Sequence, residues 1–218
     1  MYKACIFDLD GTLLYTLPTI VHYNNRALKK FGFNEISIDK CKQLCRLPYK
    51  EFYENLLLFG GCPEQDVKKY RDAIGSYDQK IYMEDILYLT EPYPGIIQLL
   101  EALKAKDIKL AVLTNKPDQI AKSVINATFG GIFDLCIGQT PTNIPKPDPR
   151  SLWNVIEGLS LTREQCVYVG DTDIDLITAK EARVFSIAAS WGYQPADVLR
   201  EYEPCAVVSR PEEILKYF

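Results

Sequence analysis

The chain has 218 residues, enough for one α/β domain with an insertion or for two small domains. Hydrophobic residues make up 47% and charged residues 25%, the balance of a soluble globular protein. A net charge of -4 speaks against a nucleic-acid partner, which calls for a basic face. No apolar stretch reaches the roughly 20 residues that cross a bilayer, so no membrane partner is expected. The first apolar run, about five residues long, meets Asp8 at once, a pattern that predicts no signal peptide. Seven cysteines, an odd number with no C-x-x-C pair, sit partly inside apolar runs and read as reduced thiols of a cytoplasmic protein.

Along the chain, the first predicted strand is "KACIF" (3–7). Residues 16–85 then show no strand pattern, and "TIVHYNNRALKKFGF", "SIDKCKQLCRL", "YKEFYENLLLFGG" and "EQDVKKYRDAIGSYDQKIYME" all carry helical spacing. Tyr49, Phe52, Tyr53 and Phe59 read as helix-packing residues there, and His22, the only histidine, as a surface or interdomain residue. After "TEPYPGI" (90–96), a Pro-Gly turn, strand patterns at 109–114, 133–138, 166–170, 184–189 and 205–208 alternate with helical patterns at 95–107, 117–130, 148–160 and 173–182. Most of these strands lack polar alternation, as strands buried on both faces of a parallel sheet do. The expected fold is α/β: a doubly wound, Rossmann-like parallel-sheet core, residues 1–15 and 86–218, with an all-helical insertion at 16–85.

Ligands of open α/β sheets bind at the carboxyl ends of the strands. The first strand is followed by "DLDGT", in which Asp8 and Asp10 share one face of an extended chain and repel each other. The second is followed by Thr114, Asn115, Lys116 and Pro117, the third by a loop ending "PKPDP" with Lys146, and the fourth by "GDTDID" with Asp171, Asp173 and Asp175. Clustered oxygens without His or Cys suit a hard cation, Mg²⁺ above all. Lys146 and Thr114, with backbone N–H groups of the Gly11 turn and of a helix starting near Lys116, suit the oxygens of a phosphate. An Asp carboxylate can act as nucleophile, and a second carboxyl two residues on can protonate the leaving oxygen and then activate water. Asp173 reads as a helix N-cap, and Thr114 and Asn115 can also serve as caps.

Four motifs in order, "DLDGT" (8–12), "LTN" (113–115), "KPDP" (146–149) and "GDTDID" (170–175), resemble those of the haloacid dehalogenase-like hydrolases, most closely the phosphoglycolate phosphatase branch. "SWGYQ" (190–194) is similar to the segment these phosphatases carry after their fifth core strand. The resemblance implies Asp8 as nucleophile and metal ligand, Asp10 as general acid and base with its carbonyl on the metal, and Asp171 as a direct ligand. It implies Lys146 and Thr114 as the phosphate-binding pair, with Asn115, Gly11 and Thr12 beside them, and Asp175 as a support behind the ligands or, alternatively, a ligand itself. The helical insertion would be the cap that selects substrate, where Arg46 could meet a substrate carboxylate. Tyr15 stands where the family usually carries an acid, a change that bears on cap and substrate fit. The function so implied is a Mg²⁺-dependent phosphatase of a small phosphorylated metabolite, phosphoglycolate by default, acting as monomer or homodimer through an aspartyl-phosphate. A pyrophosphatase, a nucleotidase, or a binding protein on the same scaffold are alternatives. A β-phosphoglucomutase-like isomerase is another, disfavoured because Ile20 stands where such relatives carry a cap histidine and His22 lies two places on.

Overall fold

The computed structural model describes residues 2–218. In chain order the elements are β1 Ala4–Phe7, β2 Leu14–Tyr15, α1 Leu17–Lys30, α2 Ile38–Leu44, α3 Tyr49–Phe59, α4 Val67–Tyr82, β3 Glu91–Pro92, α5 Ile96–Ala105, β4 Lys109–Pro117, α6 Asp118–Phe129, β5 Leu135–Gln139, α7 Pro149–Gly158, β6 Cys166–Gly170, α8 Asp173–Ala182, β7 Phe185–Ala189, α9 Ala196–Arg200 and β8 Ala206–Val208, with short 3₁₀ turns between some of them. Two compact units result: one runs to Tyr15 and resumes at Pro92, and the other spans Thr16–Glu91.

The first unit holds a six-stranded sheet in the order β5-β4-β1-β6-β7-β8, every pair parallel. All residues of β1 and β6 are buried, which is why their sequences are unbroken apolar runs rather than alternating ones. Alternate residues Ala4, Ile6, Ala111, Leu113, Cys166 and Tyr168 form one core layer with Leu152, Val155 and Ile156 of α7 and Ala179 and Ala182 of α8. β1 lies between β4 and β6, with Phe7 level with Val112 and Val169. The chain adds β4 and β5 on one side of β1 and then crosses to β6 on the other, so β1 is the switch point at which a crevice opens.

Boundaries differ from the sequence reading where polar residues extend an element. β4 continues through Pro117 with a register shift after Leu113, so α6 starts at Asp118 and not near Lys116. Thr172, with Asp175, forms the capping box of α8, and Asp173 takes the first helical position instead of the N-cap. The five-residue helix α9 is too short to show a helical period.

The second unit is built from α1–α4. Asn25 ties the α1–α2 connection by accepting from the Ile36 N–H at 2.9 Å and donating to the Ile36 carbonyl at 3.0 Å. Between α3 and α4, buried Tyr53 donates to Asp78 Oδ2 at 2.6 Å and packs edge-on against Tyr49, ring centroids 4.8 Å apart. His22 packs within this unit against Tyr23 and Tyr88, with ring centroids 5.1 and 4.4 Å away. No helix among the described residues is long and apolar enough to cross a membrane.

Candidate active site

Asp8 is the first residue past β1, and its N–H still bonds the Val169 carbonyl at 2.9 Å. The chain then turns tightly: Leu13 and Leu14 donate to the Leu9 carbonyl, and Gly11 donates to the Leu14 carbonyl. Gly11 has φ +91°, and a β-carbon there would collide with the Asp171 carboxylate, so conformation and space both require glycine. The turn aims the Thr12 hydroxyl at Asp171 Oδ1, 2.7 Å away.

Lys146 is buried among acids. Its ammonium lies 2.8 Å from Asp8 Oδ1 and 2.6 Å from Asp175 Oδ1. Toward Asp8 the contact is ionic and off the hydrogen-bonding direction, so Asp8 Oδ1 accepts no aligned hydrogen bond. Asp175 is saturated by comparison. Its Oδ1 also accepts from the Tyr168 hydroxyl at 2.9 Å, and its Oδ2 accepts from the Thr172 N–H at 3.1 Å and hydroxyl at 2.8 Å. Asp171 accepts one hydrogen bond on each oxygen, from Thr12 and from the Tyr193 N–H at 2.7 Å.

Burial raises the Asp8 carboxyl to about 7; Lys146 opposes this and Asp175 adds to it. Burial, then the charges of Asp175 and Asp8, push Asp171 well above the usual carboxylate range. Burial would lower the Lys146 ammonium, but Asp175 and Asp8 outweigh it and hold the group charged. Three carboxylates therefore face one ammonium, and the cluster is short of positive charge.

Asp8, Asp171 and Asp175 each place an oxygen within 4.8 Å of the others. The donor set is all oxygen, as a hard divalent cation requires. Asp8 Oδ1 lacks an aligned donor, and each Asp171 oxygen accepts only one hydrogen bond, so both carboxylates keep lone pairs for a cation. Asp175, with four donors, keeps least. The residues present fit a divalent cation held chiefly by Asp8 and Asp171.

The structure thus brings Asp8, Gly11, Thr12, Lys146, Asp171 and Asp175 together in the first unit. Thr114 follows Leu113, the last regular residue of β4, and is almost fully buried; its hydroxyl accepts from the Lys116 N–H at 3.2 Å, leaving the hydroxyl proton to donate. Asn115 has a structural contact that the sequence reading did not anticipate. Its carboxamide donates to the Lys146 carbonyl at 3.0 Å and accepts from the Lys146 N–H at 2.9 Å, so the side chain clamps Lys146. Arg46 lies in the second unit, on the turn after α2, exposed.

Two contributors carry no role in the sequence reading. Lys116, 9% exposed, places its ammonium 3.1 and 3.3 Å from the two Asp10 carboxylate oxygens. Its signal was a lysine directly after Thr114 and Asn115, masked by reading it as a helix start. Tyr168, inside an apolar strand, reads as core and gives no polar signal.

The family model described as haloacid dehalogenase-like hydrolase matches residues 5–189. The phosphoglycolate phosphatase of Aquifex aeolicus (strain VF5) is 31% identical over 215 residues, 98% of this chain and 95% of that protein. Phosphoglycolate phosphatase 1 of Pseudomonas aeruginosa is 29% identical over 221 residues, 98% of this chain and 78% of that protein. Among solved structures, a predicted phosphoglycolate phosphatase from Haemophilus somnus 129PT superposes with a TM-score of 0.88 at 25% identity, covering 99% of this chain and 97% of that one.

Proposed function

The chain belongs to the haloacid dehalogenase-like hydrolases, and from that premise we propose that it is a Mg²⁺-dependent phosphatase of a small phosphorylated metabolite, with phosphoglycolate the leading substrate. The observation that carries the reading is the buried Asp8–Lys146–Asp175 cluster beside Asp171, at the carboxyl edge of the sheet. The names of the relatives add phosphoglycolate.

Bound by Asp8, Asp171 and the Asp10 carbonyl, Mg²⁺ would neutralise charge on the phosphate oxygens and on the acids. Lys146 and the Thr114 hydroxyl take further phosphate oxygens. Asp8 attacks phosphorus; its oxygen–phosphorus bond forms as the ester oxygen–phosphorus bond breaks, giving an aspartyl-phosphate. Asp10, in its protonated form, gives its proton to the leaving oxygen. Asp10 then takes a proton from a water that attacks the same phosphorus, which releases phosphate and restores Asp8. Asn115 and Asp175 hold Lys146 in place.

We read the helical unit, drawn from sequence at residues 16–85, as the cap that selects the organic part of the substrate, with Arg46 as a carboxylate contact. Unchanged kcat/KM of Arg46→Ala on every phosphorylated acid would remove that role. The whole reading is tested by phosphate release from phosphoglycolate, hexose phosphates, nucleotides and pyrophosphate, with Mg²⁺ and with EDTA. Metal-dependent release that disappears in Asp8→Asn is the expected result. No release from any compound by folded protein overturns it.

A further inference from the structure

Asp171 is fully buried, and its carboxylate is fixed by two donors on opposite oxygens, the Thr12 hydroxyl and the Tyr193 N–H. Rotating the carboxylate plane would lose both. The second donor belongs to residues 191–194, which follow β7 and which no step of the proposed chemistry uses.

That segment is tied to the site at four points. Tyr193 supplies the donor itself. The Gln194 N–H reaches the Asp171 carbonyl at 3.3 Å. The Gln194 carboxamide pairs reciprocally with Asp173, accepting from its N–H at 2.8 Å and donating to its Oδ1 at 3.0 Å. The Trp191 indole N–H donates to the Thr12 carbonyl at 3.0 Å. The segment therefore carries one of Asp171's donors and also holds the residue that supplies the other. Gly192 lies between these ties, where a β-carbon would collide with the Asp171 side chain and the Gly11 carbonyl. Glycine is required there for space, because the segment presses directly on the acid.

We propose that residues 191–194 form a clasp that sets the plane of the Asp171 carboxylate against the turn of Gly11 and Thr12, and that this clasp determines the affinity for the divalent cation; the inference rests on the metal-dependent reading above. The residues are positioning residues: none needs to touch the cation or the substrate. A carboxylate already held in its ligating orientation loses no further freedom on binding, and partners that orient a ligand in this way are worth about 10- to 100-fold in metal affinity.

The test is calorimetric titration of metal-free protein with Mg²⁺, for wild type, Gly192→Ala and Trp191→Phe, alongside melting in EDTA. Gly192→Ala is expected to weaken Mg²⁺ binding by about 10- to 100-fold. Trp191→Phe, which removes only the indole N–H and keeps a ring, should weaken it less, in the same direction. The Mg²⁺ concentration for half-maximal phosphate release should rise by the same factors, with kcat recovered at saturating Mg²⁺. A purely structural segment would instead lower the EDTA melting temperature and leave the dissociation constant alone. Wild-type affinity in either folded variant overturns the clasp while leaving the phosphatase reading intact, and Trp191→Phe decides if Gly192→Ala does not fold. A wild type that releases phosphate but takes up no Mg²⁺ overturns the clasp and the metal dependence together. Weakened Mg²⁺ binding without phosphate release from any compound supports the clasp and overturns the phosphatase reading alone.

Discussion

In the metal-free protein, Asp8→Asn should stabilise the fold at alkaline pH. The Asp8 carboxyl is raised to about 7 by burial and by Asp175 against the pull of Lys146, whereas an unfolded chain returns it to about 3.9. The native state therefore binds this proton more tightly than the unfolded state does. Stability from this group is greatest below about pH 4, falls as the pH rises toward 7, and stays low above it. The interval of about three pH units corresponds to at most roughly 4 kcal/mol at 1.36 kcal/mol per unit. Asparagine removes the charge and keeps the shape, and Lys146 retains Asp175 at 2.6 Å. For a chain of this size, 1 kcal/mol moves Tm by about 2–4 °C. Scanning calorimetry in EDTA at pH 8 should then show the variant melting up to about 8–16 °C above wild type, with the gap closing toward pH 4. A variant equally displaced at both pH values, or less stable than wild type at pH 8, would refute the reasoning that burial and repulsion outweigh the lysine.

Asn115→Ala loses both hydrogen bonds to the Lys146 main chain, about 1–3 kcal/mol in all, and should melt lower by circular dichroism. Lys116→Met takes the nearby ammonium away from the Asp10 carboxylate; with Asp10 as the proton donor proposed above, its misplacement should cost about 10²-fold in kcat with KM little changed, read by steady-state phosphate release. Burial would raise Asp134, but Lys104 and the Leu110 N–H outweigh it and hold its carboxyl below the usual range. Its stabilisation is present above the ordinary carboxyl range and is lost as the pH falls through the lowered value, so Asp134→Asn should melt below wild type at pH 7 and together with it near pH 2.

The parallel core was legible because burial on both faces writes itself as unbroken apolar runs, as in β1 and β6. Asp8 and Asp171 stood out in the sequence because charge directly after such a run is costly unless it is paired or solvated, and Lys146 because it closes the Pro-containing loop after β5. The Asn115 contacts to the Lys146 main chain were not legible, because a carboxamide beside a threonine looks the same in sequence whether it faces a ligand or a backbone. Its partner, Lys146, lies 31 positions away. Lys116 was missed for a geometric reason: β4 runs on irregularly to Pro117 and so turns the lysine toward Asp10, whereas a helix start would have placed it elsewhere. Resemblance singled out "SWGYQ" (190–194), but the ties of this segment were not legible, because they cross from residue 191 to residue 12 and from 193 to 171. No local period encodes contacts of that separation.

Identical side chains acquire different work here through the donors each receives. Asp175 accepts from Lys146, Tyr168 and twice from Thr172, which leaves its oxygens little capacity for anything else. Asp171 accepts two hydrogen bonds, one per oxygen, enough to fix its plane while keeping a lone pair on each oxygen for a cation. Asp10 has the ammonium of buried Lys116 within hydrogen-bonding distance of both its oxygens. Asp8 has the poorest satisfaction, with an ammonium near one oxygen but not aligned with it. A carboxylate stripped of water and given few hydrogen bonds keeps its electron pairs available, the condition for a nucleophile. The same deprivation raises its proton affinity and makes the metal-free cluster costly to fold. In the proposed mechanism the reactivity of Asp8 and the cost of burying it in the metal-free cluster thus have a single cause, and a substitution that removes that cost should also remove the reactivity.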